Sequence, residues 1–241
     1  MNSSAPQIGF DRFIQLDWVA VAIHVRAGKS NLDELHALLA ASVLGKEAKA
    51  KTLTKLNALC LEPRTKLSDF IGRGAIHFSG AGARDDIAPF AWGAAIATYS
   101  YFGKVAEFTG RLTSIQGDCS TAEIHRRMSE VYGDREITKR ATQAAIQTQA
   151  NWGAVERLAK GKRVIRLAPK IINNDALTAW LIEAAVRYIG KPVSVPTLQS
   201  LPVLFPFTLT RPLAYVISNS PNLDLRSEGP SSQFVALRTT I

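Results

Sequence analysis

Residues 151–169, NWGAVERLAKGKRVIRLAP, leave the helical spacing that precedes them for two short apolar-and-basic runs, Ala154–Leu158 and Val164–Ala168. Between the runs lies Ala159-Lys160-Gly161-Lys162-Arg163, a turn with three positive charges. Two strand-length runs around a tight turn read as a hairpin. A tip that only closes a hairpin needs Gly, Asn or Asp, not a row of cations. The positive tip therefore asks for a partner, and the residues before it narrow the choice.

Lys104–Ile115 reads as a helix with Val105, Phe108, Leu112 and Ile115 on one face. Gly117-Asp118 breaks it. Ser120-Thr121-Ala122-Glu123 is a capping-box pattern, in which Ser at the N-cap and Glu three residues on satisfy each other's free amides. It opens a helix to Tyr132, with Ile124, Met128 and Val131 inward. Gly133 ends that helix. Asp134 is expected to cap a third, which runs to about Asn151 with Ile137, Ala141, Ala144, Ala145 and Trp152 inward. The outward residues are then Arg135, Thr138, Lys139, Thr142, Gln143 and Ile146.

Helix, helix, turn, helix, hairpin is the order of a winged helix–turn–helix, and residues 104–170 resemble that superfamily. The likeness rests on the turn at Gly133-Asp134, the long third helix and the Trp152-Gly153 exit into the first wing strand. It implies that the third helix enters the major groove of duplex DNA. Arg135, Thr138, Lys139, Thr142 and Gln143 would then face base edges. The wing-tip cations Lys160, Lys162 and Arg163 would meet phosphate or the adjacent minor groove, and Arg126 and Arg127 would reach the backbone.

Charge supports this reading. The 241 residues carry a formal net charge of +9. By segment the net is +2 over residues 1–103, +6 over 104–170 and +1 over 171–241. A concentrated excess points to a polyanion. The 46% hydrophobic content is that of an ordinary globular chain and argues against disorder.

The first hundred residues read as helices: Phe10–Arg26, Leu32–Leu44, Lys46–Leu61, Thr65–Phe78 and Pro89–Tyr101, with 79–86 a loop. Pro63 stops the third of these. Its lysines, Lys46, Lys49, Lys51 and Lys55, read first as a solvated face and second as another DNA-facing surface. After the wing, Asp175–Ile189 is helical, "VPTLQSL" and "LTRPLAYVISNS" suggest two short helices, and Leu223–Arg226 with Phe234–Arg238 flank "SEGPSS" in a second hairpin. The tip of that hairpin carries one Glu and no cation, so packing, dimerisation or a protein partner suits 171–241 better than nucleic acid.

The expected fold is mostly α with small β-hairpins. A helical domain (1–103) is followed by a winged helix (104–170) and a C-terminal α/β, second winged-helix-like unit (171–241). This all-helical front with winged-helix-like parts is similar in size and organisation to the BrxA family of BREX phage-defence systems, and that likeness implies a DNA-binding accessory. Signals for catalysis are weak. "AGKS" at Ala27–Ser30 lacks the first Gly of a phosphate loop, with Ile23 in its place. The four histidines are scattered and no Ser or Cys sits in a nucleophile motif. No enzyme activity, cofactor or metal is expected. Cys60 and Cys119 fit a reducing cytoplasm. The opening residues MNSSAPQIGF lack signal-peptide character, and the apolar stretch from Ile87 is interrupted by Pro89 and too short to span a bilayer. The expected role is a duplex-DNA-binding regulator or complex subunit. The alternative is a protein-interaction adaptor built on the same folds.

Overall fold

The computed structural model describes residues 7–80, 86–227 and 232–238. The chain is mostly α with small β-sheets. The front half holds α1 (Leu16–Arg26), α2 (Leu32–Ala40), α3 (Lys46–Leu56), continued by a π-turn at Asn57–Leu61, α4 (Thr65–Phe78) and α5 (Ile87–Thr98). Asn31 caps α2 by accepting from the Glu34 amide. Part of the loop read at 79–86, residues 81–85, lies outside the described residues.

The first helix starts six residues later than the apolar spacing suggests. Residues 10–15 are not helical, although Phe10 and Ile14 are fully buried. The backbone at the end of this segment is engaged elsewhere. Ile14 N donates to Thr148 Oγ1 at 3.0 Å, Leu16 N donates to Asn151 Oδ1 at 2.7 Å, and Ile14 O accepts from Trp152 Nε1 at 3.0 Å. Groups bonded to a distant helix are not free to close a helical ladder.

The expected boundary at 103/104 falls inside α6 (Ser100–Leu112), which follows α5 after one extended residue, Tyr99. Tyr101 and Phe102 point into the core, and Ile115, expected on the inner face, lies beyond the helix and is exposed. After α6 come β1 (Asp118–Ser120), α7 (Thr121–Tyr132), α8 (Glu136–Asn151), β2 (Val155–Leu158) and β3 (Arg163–Arg166). The three strands form an antiparallel sheet in the order β1-β3-β2, with Val164 opposite both Cys119 and Arg157. The hairpin matches the sequence reading. The three-residue β1, too short to show alternation, does not appear in it.

The C-terminal part repeats this order. It comprises β4 (Lys170–Ile172), α9 (Asp175–Ile189), β5 (Val193–Ser194), 3-10 turns at Val195–Ser200 and Pro202–Leu204, β6 (Phe207–Leu209), α10 (Leu213–Asn219), β7 (Leu223–Ser227) and β8 (Gln233–Leu237). Strands β5, β8 and β7 again form an antiparallel sheet with the last strand central. Helix, strand, helical segment, helix and hairpin thus occur twice, the middle segment being α7 in the first copy and the 3-10 turns in the second, where β6 is also inserted and paired in parallel with β4. The acidic tip read at Glu228 lies outside the described residues.

The segments share one core, a continuous cluster of buried side chains from Phe10 to Val235. Its centre is Trp180 of α9, stacked on Phe70 of α4 with ring centroids 3.7 Å apart and close to Phe90 of α5 at 5.3 Å. A Cβ at Gly74 or Gly93 would lie within 2.6 Å of the indole, so only glycine lets α4 and α5 close around it. Beside the indole, the buried Glu183 takes Arg73 of α4 at 3.0 Å and Arg187 of its own helix at 2.7 Å. The carboxylate ties the front half to the repeat.

Candidate nucleic-acid interface

Helix α8 is held from three sides. At its C-terminal end are the bonds from Ile14 and Leu16. In its first half the Tyr101 hydroxyl, buried in α6, donates to Thr138 O at 2.8 Å and meets Thr142 Oγ1 at 2.8 Å. Burial pushes the Tyr101 hydroxyl up to about 12, so it stays protonated. From α7, Tyr132 packs edge-on against Tyr101 at 4.6 Å.

These contacts set the rotation of α8 and correct the sequence reading. The inward face is Thr138, Ala141, Thr142, Ala145, Gln149 and Trp152, at the i, i+3, i+4, i+7 spacing of one helix face. Thr138 and Thr142 are buried, not outward, and Ile146 joins them. Ile137, expected in the core, is 43% exposed, and Ala144 is half-buried. A residue step turns a helix by about 100°, so the buried stripe keeps Ala141, Ala145 and Trp152 of the expected face but passes through Thr138 and Thr142 in place of Ile137 and Ala144. In α7, Val131 is 41% exposed for a similar reason, because Tyr132 holds the inner position.

The outward ridge is Lys139, Arg140 and Gln143, all exposed. Arg135 is exposed at the N-cap position in place of Asp134, and its Nη2 donates to Tyr132 O at 2.9 Å. A groove runs along each side of the ridge. One, of ≈ 380 Å³, lies between α8, the start of α7 and the wing, and Lys139, Gln143, His125 and Arg157 line it. The other, of ≈ 460 Å³, lies between α8, α3 and the segment before α1, and Gln143, Arg140, Arg12 and Lys51 line it. Gln143 stands at the crest between them.

The wing is docked as well as paired. Thr121 N and Thr121 Oγ1, at the start of α7, donate to Lys162 O at 3.0 and 3.2 Å. The tip turns through Ala159, Lys160 and Gly161 with φ of 49°, 56° and 83°. Arg157 lies over Gly161, where a Cβ would come within 2.5 Å of its guanidinium, so Gly161 serves both the turn and that contact. Lys160 and Lys162 are exposed, and neither has an ion-pair partner among the described residues. Arg163 does: its guanidinium pairs with Asp118 on β1.

Arg126 and Arg127 form solvent-accessible ion pairs along α7. Arg126 bridges Glu123 at 2.8 Å and Glu130 at 2.6 Å, and Arg127 reaches Glu123 at 3.0 Å. Hydrogen bonds from Arg126 and Arg127 hold the Glu123 carboxyl down at about 2. Only half of the capping box forms. Ser120 Oγ accepts from Glu123 N at 3.1 Å, while the Glu123 carboxylate turns to the arginines.

Three cations at the grooves, Arg12, Arg140 and Arg157, are not marked by the sequence reading. Arg157 sits two residues after the buried Val155, so strand alternation places it on the side that meets α8. Arg140 joins the ridge once α8 is turned to its observed face. No local pattern marks Arg12, which reaches the site only because residues 10–15 are not helical.

Burial pushes the Cys60 thiol up to about 12 and the Cys119 thiol up to about 11, which keeps both protonated and poorly nucleophilic. Among the described residues no three His, Cys, Asp or Glu side chains come together in a metal-binding group, and no helix is long and apolar enough to cross a membrane. No family model, curated protein or solved structure matches this chain.

Proposed function

We propose that this protein binds duplex DNA, without catalysis, through the exposed ridge of α8 and the tip of the β2–β3 hairpin. The observation that carries the reading is the pairing of two basic prongs. Lys139, Arg140 and Gln143 project from α8, and Lys160 and Lys162 project from a tip docked on α7. A rigidly seated helix with Lys, Arg and Gln outward suits the major groove, and unpaired lysines on a neighbouring loop suit phosphate. The order α6-β1-α7-α8-β2-β3, with β3 central, supports assignment to the winged helix–turn–helix type. The second copy of this order has Tyr215, Ser218 and Asn219 as the exposed residues of α10, and α9 is buried against α4 and α5. It serves packing or a protein partner. The role is that of a cytoplasmic regulator or of a subunit in a DNA-handling complex, the phage-defence accessory among them.

A fluorescence-anisotropy titration on random-sequence duplex at two or more salt concentrations tests the reading. If about 4–6 phosphates are neutralised, log K falls against log salt with a slope of roughly −4 to −5. Absence of binding at low salt overturns the proposal.

A further inference from the structure

A helix lying in the major groove has a sugar–phosphate backbone on each side, the groove being about 12 Å wide. The wing supplies cations on one side of α8 only. On the other side stands the second groove, walled by α3 and the segment before α1, with Arg12, Lys51 and Arg140 along it. We propose that these three residues grip the phosphates of the strand opposite the one held by the wing, so that the front helices form part of the duplex-binding surface. This rests on the duplex-binding reading above and extends it to a part of the chain that a winged helix does not contain.

The side-chain geometry singles out these positions. Of the four lysines of α3, Lys49 is turned to Ala40 O at 2.7 Å, Lys55 is held by Gly9 O at 2.7 Å and by Asp11 at 3.0 Å, and Lys46 does not line the groove. Lys51 alone among them combines exposure with a place on the groove. Arg12 has no ion-pair partner among the described residues, and its Nε is buried without a hydrogen-bond acceptor. The acidic groups nearby do not cancel the site. Asp11 is matched by Lys55, while Glu47 beside Lys51 and Glu136, 3.8 Å from Arg140, form exposed pairs one helical turn apart. Such pairs are weak and are readily exchanged for phosphate. The crest residue Gln143 is shared by both grooves, so a duplex seated on the ridge meets both sets of cations together.

The test compares salt slopes of the full chain on one random duplex. Lys51→Ala flattens the slope by about 0.9, and Lys51→Ala with Arg12→Gln flattens it by about 1.8, one step for each phosphate no longer neutralised. These effects add to those of Lys160→Ala with Lys162→Ala, because the two sets touch different strands. Arg12 is half-buried, so thermal unfolding of each variant is compared with the parent. Lys51→Glu, at an exposed site, supplies a variant whose folding is not in question and weakens binding further than Lys51→Ala. If the parent binds duplex and both Lys51 variants keep its affinity and slope, this inference fails while the duplex reading stands. If the parent itself does not bind, both fall.

Discussion

The Tyr101 hydroxyl and the Thr138 carbonyl oxygen are 2.8 Å apart, and that bond fixes which face of α8 meets solvent. Thr142 Oγ1 also donates to Thr138 O at 2.8 Å, so the tyrosine completes a small buried polar cluster in a stretch of helix that is otherwise alanine and threonine. Tyr101→Phe removes the donor and leaves the ring packing. The expected loss is about 1–2 kcal/mol, the worth of a buried hydrogen bond together with the under-satisfied group it leaves. Urea unfolding shows it as a lower midpoint at unchanged slope. An unchanged midpoint would mean that packing alone orients α8.

Alkaline pH gives a second prediction. Burial raises Tyr101 to about 12, and Tyr99, Tyr132 and Tyr188 are also raised by burial. A phenol raised in the folded state favours folding fully below its unfolded value of about 10, and that contribution is lost as pH rises through the folded value. Stability should therefore hold steady up to about pH 10 and fall steeply by about pH 12. Absorbance at 295 nm should show Tyr99, Tyr101, Tyr132 and Tyr188 ionising together with unfolding. Ionisation of Tyr101 below the unfolding transition would contradict its burial.

The wing cations are predicted to be unequal. Lys160 and Lys162 have no ion-pair partner among the described residues, whereas Arg163 is bound to Asp118. Replacing both lysines with Ala should flatten the salt slope by up to about 1.8, with little change in stability, since the tip is held through the Lys162 carbonyl and not its ammonium. Arg163→Ala should change the slope less than either lysine does. A larger effect from Arg163 would mean that it leaves Asp118 for the duplex.

These residues also show what could be read from the sequence and what could not. The hairpin, the break at Gly133 and the bounds of α4 come from local signals: turn glycines, a proline stop and a clear helical period. The face of α8 does not, because the buried side of its first half is made of Thr and Ala, which carry little hydrophobic contrast, and a partner 37 residues away decides it. The start of α1 fails likewise, since Phe10 and Ile14 have helical spacing but the backbone of Ile14 and Leu16 bonds to α8 and Trp152. The number of cations is plain in the chain, yet it cannot tell Lys162 from Arg163 or Arg126, whose acidic partners appear only once the strands and helices are placed.

Gln149 supplies a stability prediction of opposite sign. It is fully buried in α8, and neither its amide nitrogen nor its oxygen has a hydrogen-bond partner among the described residues. Such groups cost about 1–3 kcal/mol when unsatisfied. Gln149→Met keeps the length and flexibility of the side chain without the polar atoms, so it should stabilise the fold by an amount of that order. Calorimetric melting tests it. A destabilised variant would indicate a buried water bonded to the amide.

Gln143 separates sequence reading from electrostatic attachment. It stands on the crest of α8 between the two grooves, and Lys139 lies one turn before it on the same side. An amide on a base edge can be bidentate and is worth about 1–3 kcal/mol of discrimination, whereas a lysine on phosphate contributes equally to every sequence. Selection from a random duplex library comes first, followed by Gln143→Ala and Lys139→Ala on the selected and a scrambled site. If α8 reads bases, Gln143→Ala weakens the selected site by that amount and leaves the scrambled one nearly unchanged. Arg135→Ala should discriminate less, since its guanidinium is already drawn back to the Tyr132 carbonyl. Equal losses on both duplexes, or no enriched sequence, would leave α8 as a phosphate-holding ridge, and the protein as a clamp indifferent to the sequence it holds.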